Sequence, residues 1–254
     1  MPSEGDRDVS DVAETVQRVG RGSLSGPLLR FVDVVKTFGE GQLEVRAING
    51  VSLTTDAGEF VAVMGPSGCG KSTLLHLAGG LVAPTAGRIV VDGADLAVLD
   101  GQAISEVRRR HVGFVFQRLN LIPSLTAVEN VMLPLELDGV RTSRARREAI
   151  RALERAGLGA DLDRYPDDFS GGQQQRIAVA RAIVGERTLV LADEPTGALD
   201  TVTGDRVVGL LRQLCDEDGV TVLMVTHEPR FASWADRVVF LRDGRIVDAS
   251  GSTT

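Results

Sequence analysis

The chain has 254 residues, 43% of them hydrophobic, and a formal net charge of −7, enough apolar material for one domain of ordinary size and no general attraction to nucleic acid, which demands clustered positive charge. Cys69 and Cys215 are its only cysteines, too few for a disulfide framework or a thiolate zinc site, and so point to a reducing compartment. No apolar run approaches the ~20 residues that span a bilayer, and the opening MPSEGDRDVSDVAETV lacks the basic and apolar regions of a leader; a cytoplasmic location is expected, with any membrane role exercised through a partner.

Residues 1–27 are rich in Ser, Gly, Asp, Glu and Arg and read as a flexible tail with little surface to bury; a short amphipathic helix over Asp11–Val19 is the alternative. From Leu28 the texture changes. LLRFVDVVKTF and VRAINGVSLTT predict strands, and Asp56-Ala57-Gly58 a turn. EFVAVMGPSGCGKSTLLHLAGGL then runs from apolar strand through glycine loop to helix, as a buried parallel strand does when it feeds a crossover.

That loop, Gly65-Pro66-Ser67-Gly68-Cys69-Gly70-Lys71-Ser72-Thr73, fits the phosphate-loop pattern in the context the pattern requires. Glycines let consecutive N–H groups turn toward phosphate oxygens, and the helix adds its positive N-terminus. Lys71 is one of only two lysines in the chain and is expected at the β- and γ-phosphates, with Ser72 on Mg²⁺. At Cys69 the backbone N–H matters, and the thiol side chain is free to vary.

Gln117 follows the apolar run Val112–Phe116, a strand exit from which it could ligate a metal or orient water. Thr142–Gly157 predicts a helix with Ile150 and Leu153 on one side and arginines over most of the rest, placed in a peripheral polar lobe. Asp193 and Glu194 end the apolar strand in TLVLADEP; Asp193 suits Mg²⁺, held directly or through water, and Glu194 the water that attacks a γ-phosphate. His227 ends a third apolar strand, Val220–Thr226, while His76 and His111 have no such placement. Three apolar strands separated by helices predict a parallel sheet covered on both faces.

Together these segments resemble one family, the nucleotide-binding subunits of ATP-binding-cassette (ABC) systems. The defining segment is Phe169-Ser170-Gly171-Gly172-Gln173, similar to the family's signature motif and placed before the Asp193 strand; Ser170, Gly171, Gly172 and Gln173 also make physical sense as a phosphate clamp at a helix start. The resemblance covers about Leu28 to Ala249. It implies an α/β fold: a P-loop NTPase (RecA-like) parallel-sheet core with an N-terminal antiparallel β subdomain and an inserted α-helical subdomain at about 118–180, all within a domain of residues 28–254.

It further implies ATP and Mg²⁺, and a head-to-tail dimer in which Ser170–Gln173 of one copy cover the ATP held by the phosphate loop of the other. Gln117 is similar to the family's Q-loop glutamine, Asp200 in Gly197-Ala198-Leu199-Asp200 to its D-loop, and His227 to its switch histidine. Phe38 stands where an adenine-stacking aromatic, commonly tyrosine, is expected, and Phe169 where leucine is usual.

Asn120-Leu121-Ile122-Pro123 after Gln117, with the stretch around Asp193, looks like the subfamily of macrolide exporters and lipoprotein-release systems. That implies separately encoded integral-membrane permease subunits, a position on the inner face of the plasma membrane, and export or mechanotransmission. The apolar stretch Leu119–Leu135 is either part of that interface or core. A soluble ABC ATPase acting on DNA or ribosomes is the competing class; it has the basic runs Arg108–Arg110 and Arg141–Arg151 in its favour and the acidic balance against it. A binding module without hydrolysis would lack Glu194 or His227.

Overall fold

The computed structural model describes residues 26–251; nearly all of the predicted tail, and the alternative helix Asp11–Val19, lie outside them. Two sheets organise the chain. The first is antiparallel, with β1 (Leu29–Phe38) between β2 (Val45–Thr55) and β4 (Ala86–Val91), and the short β5 (Ala94–Asp95) on the far edge of β4. Leu29, Phe31 and Val34 point inward along β1, the change of phase falling where the register shifts between Phe31 and Val34.

The second sheet has the order β10-β9-β3-β8-β7-β6, built from β3 (Phe60–Met64), β6 (Val112–Val115), β7 (Leu189–Asp193), β8 (Thr221–Val225), β9 (Arg237–Arg242) and β10 (Arg245–Gly251). From β9 to β6 all neighbours are parallel, and only β10 runs against its partner. Every residue of β7 and β8 is buried, because both faces are covered, and this is why these strands read as unbroken apolar runs. Val61, Val63, Leu191 and Leu223 face the antiparallel sheet and α1 (Lys71–Ala78). Ala62, Val190, Val222 and Met224 face α5 (Gly171–Ile183) and α6 (Thr201–Asp218).

Helix α2 (Gly101–His111) leads into β6. Between β6 and α5 the chain builds a helical lobe of α3 (Ala127–Leu137) and α4 (Thr142–Arg155), each packed on the other and on α5. Thr126 and Glu129 close a reciprocal cap at the start of α3, satisfying two otherwise orphan donors. The packed face of α4 is mostly small: Ala145, Ala149 and Ala152 join Leu153, and Ile150 is only half-buried. A reading by large apolar residues therefore finds one edge of that face; alanines at helical spacing let the three helices approach closely.

Within Leu119–Leu135, Val128, Val131, Met132 and Leu135 are core. The loop ahead of α3 is held by Asn130, fully buried, whose side-chain amide accepts from Ile122 N at 2.8 Å and donates to the carbonyls of Ile122, Leu125 and Thr126 at 3.1, 2.9 and 3.1 Å. Arg181 on α5 donates to the carbonyls of Leu119 and Asn120, each at 2.6 Å. The last helix, α7 (Pro229–Ala232), follows β8. Among the described residues no helix is long and apolar enough to cross a membrane.

Candidate functional site

Because β3, β8, β7 and β6 are adjacent and parallel, whatever follows each strand emerges along one edge of the sheet, where open α/β sheets bind their ligands. The four strands are spaced so that this row spans ~14 Å. The phosphate loop comes off β3, and Gly70 (φ 108) turns it into α1. A Cβ on Gly70 would stand 2.3 Å from the Ala47 carbonyl oxygen, so only glycine lets the loop pass β2 there. Lys71 is buried and donates from Nζ to the carbonyls of Gly65 and Pro66 at 2.9 and 3.1 Å.

Ser72 Oγ donates to Asp193 Oδ1 at 3.1 Å, joining the loop to the end of β7 two strands away. Glu194 comes next. Its φ of 47° is unusual for a residue other than glycine, and its N–H donates to the Val225 carbonyl of β8 at 3.0 Å. The turn aims its side chain along the row, where Oε2 lies 2.6 Å from His227 Nδ1. An ionised carboxylate only accepts, so Nδ1 carries the hydrogen in this pair. Glu194 is 12% exposed at its side chain and His227 60%, so the carboxylate is sheltered and the imidazole faces solvent.

Gln117, exposed just beyond β6, closes the row. It lines a cleft of about 310 Å³ with Ser67, Gly68, Gly70, Lys71, Ser72, Thr73 and Glu194, and with Ala47. Ala47 was not singled out in the sequence; β-strand membership carries no hint that its carbonyl would abut the loop. Cys69 is buried beneath the loop, its carbonyl accepting from Gly244 N at 3.0 Å, and its thiol is not part of the cleft wall. Gly65 and Pro66 contribute carbonyls to Lys71 and likewise stand behind the lining.

Three predicted elements stand apart from this cleft. Phe38, at the end of β1, is 43% exposed, with Lys36 Nζ 4.9 Å from its ring centroid. Ser170 caps α5: its hydroxyl accepts from Gln173 N, and Gln173 Oε1 accepts from Ser170 N at 2.9 Å. Phe169 is buried under the Arg164 guanidinium, filling the position as an apolar residue should. Asp200 caps α6, accepting from Val202 N, Thr203 N and Thr203 Oγ1 at 3.0, 3.1 and 2.6 Å; the Thr203 hydroxyl first, and the two amides, hold its carboxyl below the usual range.

These last two motifs touch each other. A Cβ on Gly172 would stand 2.1 Å from Thr203 Cγ2, so the start of α5 lies against the start of α6. Thr203 is a site residue that motif spacing did not reveal, since only the packing of two helix termini creates the contact.

Chemically, the cleft offers turned backbone amides and one ammonium at a helix N-terminus, which suit a polyphosphate. Its wall also offers the Ser72 hydroxyl, and behind the lining the buried Asp193 sets a carboxylate oxygen 3.1 Å from that hydroxyl; both are hard donors suited to Mg²⁺. Among the described residues no group of three or more His, Cys, Asp or Glu could hold a metal by itself, so an ion here would share phosphate and water ligands, as Mg²⁺ commonly does.

The family described as ABC transporter matches residues 48–197. The chain is 49% identical over 225 residues to the lipoprotein-releasing system ATP-binding protein LolD of Anaeromyxobacter dehalogenans, covering 88% of this chain and 94% of that one. It is 44% identical over 229 residues to the macrolide export ATP-binding/permease protein MacB of Hyphomonas neptunium. The match covers 90% of this chain but 35% of MacB, so the chain spans about a third of the length of that relative. Among solved structures, a dimeric bacterial ABC transporter cassette superposes with a TM-score of 0.83 at 40% identity, covering 89% of this chain and 99% of that one. The post-hydrolysis state of the same cassette, bound to ADP and Pi, gives the same figures.

Proposed function

The chain belongs to the ABC transporter family, and on that premise we propose that it is the MgATP-hydrolysing subunit of a transporter of the macrolide-export or lipoprotein-release type. One observation carries the reading: a single sheet edge holds Lys71 in a phosphate loop, Ser72 against Asp193, and Glu194 against His227. Lys71 and the loop amides of Gly65–Thr73 bind the β- and γ-phosphates. Ser72 and Asp193, with Gln117 opposite, hold Mg²⁺, which when bound supplies positive charge against the phosphate oxygens.

Glu194 takes the proton from the attacking water as its oxygen bonds the γ-phosphorus and the bond to the β-phosphate oxygen breaks, leaving ADP. His227 holds the carboxylate in place and faces the γ-phosphate from the neighbouring strand. The helix start at Ser170, Gly171, Gly172 and Gln173, and Asp200 beside it, lie outside the cleft of their own copy. They serve the ATP of a second copy in a head-to-tail dimer, a reading supported by the dimeric cassette to which the chain is similar. Phe38 stacks on adenine from the rim.

The reading divides the chain into a tail, residues 1–27, and an ATPase domain, residues 28–254, with the helical subdomain at about 118–180. The membrane partner is a separate permease, and this subunit sits peripherally on the inner face of the plasma membrane. A groove of about 330 Å³ between β6 and α3, with Leu81, Phe114, Phe116, Leu133, Pro134 and Leu137 in its wall, suits an apolar segment of that permease.

The test is to express tagged Glu194→Gln in its own organism with MgATP, solubilise the membranes, and identify what co-purifies. An integral-membrane protein is the expected partner. Recovery of ribosomes or nucleic acid alone, with hydrolysis intact in the wild type, overturns the transport reading.

A further inference from the structure

At the opposite end of β6 and β7 from the nucleotide cleft, the C-terminus of α2, the α3–α4 connection and the turn before β7 enclose a hollow of about 370 Å³. Its wall carries four guanidinium groups, those of Arg109, Arg110, Arg144 and Arg187, against two carboxylates, Asp138 and Glu186. In a chain whose net charge is −7, this is a local reversal of sign.

The acids present do not account for the cations. Arg110 is paired, with Glu106 at 2.7 Å and Asp138 at 3.2 Å. Arg109 approaches the same Asp138 only to 3.6 Å, beyond hydrogen-bond distance, and its buried Nε has no acceptor among the described residues. His111, also in the wall, brings Nδ1 within 3.1 Å of Asp92 Oδ2, yet that buried nitrogen too makes no hydrogen bond among the described residues. Arg144 and Arg187 make no ion pair among the described residues, and Glu186 makes none either.

Arg187 is the telling member. It is buried, and its Nε and Nη1 donate to the carbonyls of Val184 and Arg108, each at 3.2 Å. Those two bonds fix the plane of the fork, and the described residues give its Nη2 no acceptor. Burial pushes this guanidinium down to about 10, with Asp138 opposing. A buried cation whose nearest acid, Asp138, is in contact with Arg110 instead is costly to a fold, whereas a rigid, half-satisfied guanidinium beside two more is how proteins recognise tetrahedral oxyanions.

We propose that this hollow is a binding site for a phosphate-type oxyanion, held between Arg187 at the floor and Arg109 and Arg144 at the rim, and separate from the nucleotide cleft. The same chemistry is offered by free phosphate and by the phosphodiester of an anionic lipid. The site rests on Arg109, Arg144 and Arg187 and not on the reading of the nucleotide cleft.

The test uses amide chemical shifts of the full chain as inorganic phosphate replaces chloride at constant ionic strength. Gly185 reports the hollow, and Gly68 and Gly70 report the phosphate loop separately. A saturable shift at Gly185, weakened about tenfold or more in Arg144→Glu by loss of a charge-assisted contact, is expected, with the Gly68 response unchanged. Arg144 is exposed, so the variant should fold; basal ATP hydrolysis, expected at the wild-type rate, checks this. No movement at Gly185, or the same movement in Arg144→Glu, overturns the proposal.

A second arm compares sedimentation with vesicles of phosphatidylglycerol in phosphatidylcholine against phosphatidylcholine alone. Binding that Arg144→Glu abolishes identifies the lipid headgroup as the source; phosphate binding without vesicle binding identifies the free ion.

Discussion

Replacing Gly172 by alanine places a methyl carbon 2.1 Å from Thr203 Cγ2, more than 1 Å inside the ~3.5 Å at which two carbons rest in contact. Thr203 cannot swing aside cheaply, because its hydroxyl is committed to Asp200 Oδ2 at 2.6 Å. The start of α5 must therefore withdraw from the start of α6. Overpacking of this kind costs about 1–3 kcal/mol, or several degrees in the unfolding midpoint.

The larger expected effect is catalytic. If Ser170–Gln173 clamp a partner's ATP, a displacement of ~1 Å costs about 10²-fold in rate. Thr203→Ser removes Cγ2 and keeps the hydroxyl on Asp200; the next atoms, the side-chain β-carbon and hydroxyl oxygen of residue 203, lie 3.5 and 3.7 Å from the new methyl, which is ordinary contact. Phosphate release at saturating MgATP, measured across wild type, both single variants and the double, forms a cycle with strong positive coupling. Wild-type activity in Gly172→Ala, or a double variant no better than that single, would refute the reasoning.

Glu194→Gln is expected to lower hydrolysis by about 10²–10⁴-fold while nucleotide affinity, carried by Lys71 and the loop, is kept; a wild-type rate means another group is the base. Lys71→Ala is expected to weaken ATP binding itself, and an unchanged dissociation constant by titration would count against the phosphate-loop assignment. Burial pushes the Cys215 thiol up to about 12, with Arg212 opposing, so alkylation of native Cys215 at mildly alkaline pH should track global unfolding; labelling at the rate of a free thiol, read by mass spectrometry, contradicts this. The carboxyl of Asp200 is depressed below its ordinary 3.8, so its contribution is present above that value and is lost as pH falls through the folded one. The gap in unfolding midpoint between wild type and Asp200→Ala should accordingly close in acid, and a gap independent of pH excludes the carboxylate as the cap.

How much of this could be read beforehand follows from where each residue gets its position. Gln117, the Asp193-Glu194 pair and His227 each follow an apolar run, as does the glycine loop that carries Lys71, and a parallel sheet places every such exit on one edge, so strand assignment and the loop pattern bring them together. Gly172 against Thr203 was not legible, since it depends on how two helix termini meet across 31 positions of sequence. The α4 face was half legible because alanine buries as well as leucine where helices lie close, yet it leaves little trace in a pattern of large side chains. The arginine-lined hollow was invisible. Its parts come from residues 109–111, 138–144 and 184–187, and the run Arg108–Arg110 looks like a solvated face until Arg187 is found buried beneath it.

The amide of Asn130 and the guanidinium of Arg181 bear on how the helical lobe can move. Together they tie down the connecting loop at Leu119, Asn120, Ile122, Leu125 and Thr126, so that stretch behaves as a rod continuous with α3 and α5. The chain returns from the lobe to the sheet through α5, which packs on β6, so Arg181 braces the start of this stretch against the sheet while Asn130 fixes its end to α3. Gln117 thus stands between the end of β6 and a segment held at both ends, with no slack loop between the nucleotide cleft and the start of α3.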